Sequence, residues 1–99
     1  MSKNYKAQSK LEQQLAVAIL TLKTETDVLN FLRDILTPSE LEEFSRRLEI
    51  ARLLNSSSIS YLEIAEKLKT STTTVTRVAQ WLNDGCGGYK KVLERLKKV

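Results

Sequence analysis

Between positions 72 and 80 the chain gathers Thr72, Thr73, Thr74, Thr76, Arg77 and Gln80. Hydroxyl, guanidinium and carboxamide groups of this kind donate hydrogen bonds to phosphate oxygens and base edges. On a helix, Thr72, Thr73, Thr76, Arg77 and Gln80 fall on one side, because residues three and four apart are neighbours. Threonine is a mediocre helix former, so four in five residues are not explained by helix stability. Capping and simple solvation account for any one of them; for the cluster, contact with DNA is the better expectation. No comparable set points to catalysis. The chain has no histidine, no cluster with metal-ligand spacing, no phosphate-cradling glycine loop beside a strand and no nucleophile with a recognisable base. The expectation is a binding protein, not an enzyme, with no metal and no cofactor.

The elements around the cluster predict a helix-turn-helix over residues 60–83. Ile64, Ala65 and Leu68 share one helical face, and Val75, Val78 or Ala79, and Leu82 share another, with polar Lys69, Thr70 and Ser71 between them. Ala65 stands where two steeply crossed helices approach closely. Ser60 with Glu63 forms a capping box for the first helix, and Ser71 or Thr72 caps the second. The turn position where glycine is usual holds Lys69, which predicts a left-handed lysine or a different turn.

One small domain fits 99 residues, and a helical chain of this length buries only a modest core alone, which makes a partner subunit plausible. One proline, three glycines and no long alternating run indicate an all-α fold. Residues 1–60 carry eight Lys or Arg and eight Asp or Glu, whereas residues 61–99 carry eight and four, so the net charge of +4 belongs wholly to the second part. That is the footprint of a nucleic-acid surface, though solvated helices often show as much. The single Cys86 forms no intrachain disulfide and reads as an incidental thiol near a glycine hinge. With no secretory signal and no apolar run long enough for a membrane, a cytoplasmic protein is expected.

Taken in order, residues 1–10 read as a flexible basic segment, and residues 11–99 as one helical domain. Leu11, Leu15, Ala18, Ile19 and Leu22 recur at helical spacing, with Val17 and Leu20 off that stripe. A helix apolar on more than one side needs more enclosure than a small monomer offers, which predicts dimerisation. Val28, Leu29, Phe31, Leu32, Ile35 and Leu36 form a second short helix. Thr37, Pro38 and Glu40 supply an N-cap, a first-turn proline and a capping-box glutamate for a third. That helix is expected to run to about Leu54 with Leu41, Phe44, Leu48, Ala51 and Leu54 inward, Ile50 and Leu53 broadening the face, and Glu42–Arg46 and Glu43–Arg47 as surface pairs. After the recognition helix, Gly85 is expected as a left-handed C-cap. A last helix over residues 89–99 has Tyr89, Val92, Leu93 and Leu96 on one face and Lys90, Lys91, Arg95, Lys97 and Lys98 exposed.

Together, the run at 36–44 (Leu-Thr-Pro-Ser-Glu-Leu-Glu-Glu-Phe), Arg47, Ile59 and Ser60 with Glu63, and Thr73, Thr74, Val75, Thr76 and Arg77 resemble the Trp repressor family. The run from Trp81 to Tyr89 resembles its YerC/YecD-type branch. The resemblance implies an intertwined, all-helical homodimer of about six helices per chain, with two helix-turn-helix units entering successive major grooves of double-stranded DNA. The family's DNA contacts map onto Tyr61, Leu62, Lys69, Thr72, Thr73, Thr74 and Thr76. Its effector cleft maps onto two arginines, Arg47 and Arg77, near Thr37. Val78 stands where the classical repressor has a glycine beside the ligand, and Trp81 where it has a serine. These larger side chains are expected to crowd an indole, so L-tryptophan is disfavoured as effector, with Trp81 partly filling the cleft. The resemblance thus implies a sequence-specific transcriptional regulator; the alternative is a helical protein-protein adaptor that keeps the fold without reading DNA.

Overall fold

The computed structural model describes residues 4–97, in which all regular structure is helical. Six helices follow one another: α1 (Lys10–Leu20), α2 (Glu25–Ile35), α3 (Pro38–Ser56), α4 (Tyr61–Leu68), α5 (Thr72–Asp84) and α6 (Gly88–Leu96). From Tyr5 on, the described residues group into two compact units, Tyr5–Glu43 and the residues from Phe44 onward. No helix among them is long and apolar enough to cross a membrane.

In the N-terminal unit, local hydrogen bonds set each helix end. Ser9 caps α1 by accepting from the Glu12 amide at 3.2 Å, and Glu12 reaches back to accept from the Gln8 amide at 3.1 Å and the Tyr5 hydroxyl at 2.7 Å. These donors, the Gln8 N–H first and the Tyr5 hydroxyl second, hold the Glu12 carboxyl below its ordinary range. Part of the expected flexible segment is thereby fastened to α1, while residues 1–3 of it lie outside the described residues. Thr24 caps α2 through the Asp27 amide at 3.1 Å. The start of α3 is a reciprocal capping box, the Glu40 amide donating to Thr37 Oγ1 at 3.2 Å and the Thr37 amide to Glu40 Oε1 at 2.9 Å. No side chain of α1 or α2 is buried. Leu11, Leu15, Val17, Ile19, Leu20, Leu29 and Ile35 are exposed, Leu11 by 77% and Leu20 by 81%.

The second unit holds the core. Ile50, Ala51 and Leu53 of α3 meet Ile64 and Ala65 of α4, Val75, Val78 and Leu82 of α5, and Leu93 of α6, with Leu54, Ile59, Leu68 and Tyr89 packed against them. Ala65 is 4% exposed, consistent with the close approach its size permits. Ser60 caps α4 by accepting from the Glu63 amide at 3.1 Å, and Ser71 caps α5 by accepting from the Thr74 amide at 3.1 Å. Lys69 adopts the left-handed conformation at φ 57° and ψ 49°. This is the first of the two expected alternatives, at a cost of roughly 1–2 kcal/mol for a residue with a Cβ.

Three details differ from the sequence-based expectation. Within the second unit α3 buries Ile50, Ala51 and Leu53, while Phe44 and Leu48 stay exposed. Ile50 and Leu53 join residues of α4, α5 and α6 in the buried cluster, which Phe44 and Leu48 do not enter. Gly85 is extended, at φ −85° and ψ −153°, and the left-handed glycine is Gly87, at φ 83°. Gly85 is nonetheless a position that only glycine fills easily, because a Cβ there would run into the backbone carbonyl of Trp81. Finally, α6 buries Leu93 and leaves Val92 and Leu96 about half exposed. Lys98 and Val99, expected in that helix, lie outside the described residues.

Candidate functional site

The inner side of α5 is committed to packing, which fixes what its outer side presents. Val75 and Val78 are fully buried, and Ala79 and Leu82 nearly so, whereas Thr72, Thr73, Thr76, Arg77 and Gln80 are exposed. The threonines divide further by hydrogen bonding. Thr74 is half-buried and its hydroxyl shares a 3.0 Å hydrogen bond with that of Ser71; the Thr76 hydroxyl donates to the Thr72 carbonyl at 2.9 Å. The hydroxyls of Thr72 and Thr73 enter neither bond. The exposed Thr72 and Thr73 thus keep their hydroxyls outside these two bonds, while the Thr76 oxygen, its hydrogen engaged, can still accept.

The turn and the start of α4 extend this surface. Tyr61 and Leu62 open α4 and are 44% and 59% exposed, and Lys69 is exposed at the turn. No acidic residue occupies the first turn of α5, so no carboxylate of that turn offsets the positive end of its helix dipole. Of the residues expected to contact DNA, Tyr61, Leu62, Lys69, Thr72, Thr73 and Thr76 are exposed on the helix-turn-helix, and Thr74 is half-buried and hydrogen-bonded to the Ser71 cap.

A second feature of this unit is an open apolar groove of about 550 Å³, lined by Arg47 and Leu48 of α3, Trp81 of α5, Gly85 and Cys86 of the connection, and Gly88, Tyr89 and Val92 of α6. The Arg47 guanidinium sits 5.5 Å from the centre of the Phe44 ring and 5.6 Å from that of Trp81, both within cation–π range. Burial pushes the Tyr89 phenol above its ordinary pKa, and the Arg47 charge opposes this in part. Tyr89 thus stays protonated at neutral pH and able to donate.

The residues expected at an effector cleft fall in different places. Arg47 and Trp81 both line the groove. Val78 is fully buried in the core beneath the helix and does not line it; Arg77 is exposed on α5 outside the lining. Thr37 belongs to the N-terminal unit and is engaged in capping α3. Tyr89, Cys86 and Val92 join the lining without having been singled out for it. Phe44 was expected on the inward face and Arg47 beside Glu43; the i, i+3 spacing of Phe44 and Arg47 on one helix is the signal that could have paired them.

The sequence pattern of the family described as Trp repressor protein matches residues 10–97, and the chain belongs to that family. It is 34% identical to YerC of Bacillus subtilis (strain 168) over 94 residues, 95% of this chain and 89% of YerC. Among solved structures it is similar to a TrpR-like protein from Eubacterium eligens ATCC 27750, with a TM-score of 0.84 and 40% identity over 91% of this chain and 92% of that one. It is also similar to a Trp repressor candidate from Staphylococcus aureus, with a TM-score of 0.83 and 29% identity over 91% and 89% of the two chains.

Proposed function

We propose that this protein is a homodimeric, sequence-specific DNA-binding transcriptional regulator, most simply a repressor. The observation that carries the reading is the division of α5 between a buried apolar side and an exposed side bearing Thr72, Thr73, Thr76, Arg77 and Gln80. A recognition helix in a major groove needs this arrangement, with its N-terminal residues at base edges and its other face fixed to the scaffold. Tyr61, Leu62 and Lys69 flank that helix on the same motif. The exposed apolar surface of α1 and α2 supports a dimer, because a small monomer rarely leaves so many large apolar side chains in water.

In a selection from random duplex, the wild-type protein is expected to enrich a two-fold symmetric site and to bind it more weakly as salt rises, as phosphate-contacting cations require. Thr73→Ala with Thr76→Ala should lower the preference for that site over random duplex by about tenfold, within the 1–3 kcal/mol typical of a good base contact. Absence of any wild-type preference would overturn sequence-specific regulation.

L-Tryptophan is not the effector in this reading. Arg47, one of the two arginines expected at the cleft, already lies within cation–π range of the rings of Phe44 and Trp81, and the Trp81 indole lines the groove in which a ligand indole would have to fit. Calorimetric titration of the full-length protein with L-tryptophan is expected to give no micromolar binding, and a micromolar dissociation constant would refute this part of the reading. The half-exposed Val92 and Leu96 of α6 favour, as a second reading, a protein-protein adaptor. That reading requires partner capture insensitive to salt and no shift of any duplex.

A further inference from the structure

The turn between α4 and α5 contains the left-handed Lys69 and a hydrogen bond that sequence patterning did not foresee. The Thr70 amide donates to the Ala65 carbonyl at 2.9 Å and the Lys69 amide to that of Glu66 at 3.4 Å, the paired bonds of a Schellman ending. Such an ending satisfies those two carbonyls and leaves the final helical carbonyl, here that of Leu68, without a helical partner. Arg46 of α3, 22 residues earlier, supplies one: its Nε donates to Leu68 O at 3.0 Å in a partly buried setting. The bond is charge-assisted and lies at the negative end of the α4 dipole, two features that strengthen it.

We propose that Arg46 is a positioning residue, a brace from α3 that holds the left-handed turn and thereby sets the direction in which α5 leaves it. The proposal rests on the reading of α5 as the DNA-recognition helix. Glycine would adopt the conformation of residue 69 without steric cost; with lysine there, the turn depends on outside contacts. The planar guanidinium is suited to this, since its Nε points sideways from the chain, a geometry that the single ammonium of lysine does not reproduce. A tilt of the turn would displace Thr72 and Thr73, which begin α5 immediately after its Ser71 cap.

The test compares full-length wild type with Arg46→Lys, which keeps the charge, and Arg46→Met, which keeps most of the stem. Amide hydrogen exchange is read at Thr70 and, as a control on global stability, at Val78 and Leu82; binding is measured to the selected duplex and to random duplex. In both variants Thr70 protection is expected to fall about tenfold relative to the α5 controls. Preference for the selected duplex is expected to fall about tenfold, while Arg46→Lys keeps its affinity for random duplex within about twofold. Unchanged Thr70 protection overturns the brace. Lost protection with unchanged preference overturns its role in positioning α5. If the wild type itself shows no preference, the DNA reading fails, and Thr70 exchange alone then decides whether Arg46 braces the turn.

Discussion

Ile64→Ala is expected to lower stability by about 2–5 kcal/mol, the range for truncating a large aliphatic side chain in a packed core. Ile64 is fully buried and belongs to the cluster that joins α3, α4, α5 and α6. Its removal takes away transfer energy and leaves a cavity that the short α4, only eight residues long, has few other buried contacts to close. Ile64 and Ala65 are the buried side chains of α4, so the loss falls on the element packed against α5. Denaturant unfolding at one fixed protomer concentration should show a lower midpoint with an unchanged slope. Glu66→Ala, on the exposed side of the same helix, should stay within about 0.5 kcal/mol of wild type. A loss below 1 kcal/mol for Ile64→Ala would mean that α4 is not packed as described. DNA affinity should fall with the folded population, whereas Thr73→Ala with Thr76→Ala should change preference without moving the unfolding midpoint by a comparable amount.

The parts of the fold that the sequence made legible are those governed by local chemistry. Ser60 with Glu63, Ser71, and Thr37 with Glu40 each marked a helix start, because a hydroxyl that satisfies an amide three residues on acts within a single turn. The inner sides of α4 and α5 were legible for a similar reason, since each is short and has one consistent apolar stripe. The orientation of α3 was harder. Phe44, Leu48 and Ala51 fit helical spacing as well as Ile50 and Leu53 do, and only the positions of α4, α5 and α6 decide which side is covered. Choosing between Gly85 and Gly87 for the left-handed position required the path of the chain into α6.

The candidate site shows the same division. Its outward threonines follow from the α5 periodicity, but which hydroxyls remain outside capping and back-bonding depends on side-chain rotamers. The bond from Arg46 to Leu68 joins residues 22 apart and leaves no trace in any local pattern. Val78 is instructive in another way. Its correspondence to a glycine beside the ligand in the classical repressor suggested a cleft residue, whereas its place between Val75 and Leu82 on the apolar stripe put it in the core, and the structure follows the stripe.

The exposed apolar surface of the N-terminal unit leads to the largest expected effect on assembly. Leu11, Leu15 and Ile19 recur every four residues along one side of α1, and all three are exposed. Burying such a side chain is worth about 1.5–3 kcal/mol, so a partner subunit covering this stripe would gain several kcal/mol from α1 alone. Leu15→Lys with Ile19→Lys removes that gain and sets two ammonium groups where the partner would exclude water, a penalty that adds to the lost burial. The dissociation constant of the dimer is therefore expected to rise by at least about a hundredfold, roughly 2.7 kcal/mol. Sedimentation equilibrium over a protein dilution series reads this directly. The wild type should sediment as a dimer and the double variant as a monomer at the same concentration. Far-ultraviolet circular dichroism of the variant separates loss of assembly from loss of folding: retained helicity places the defect at the interface, whereas collapse of the helical signal is expected if the chain folds only as an intertwined pair. Either outcome lowers affinity for a two-fold duplex, because one helix-turn-helix alone forfeits the second half-site. A variant that remains dimeric with undiminished affinity would show that the α1 stripe is not the surface joining the two chains.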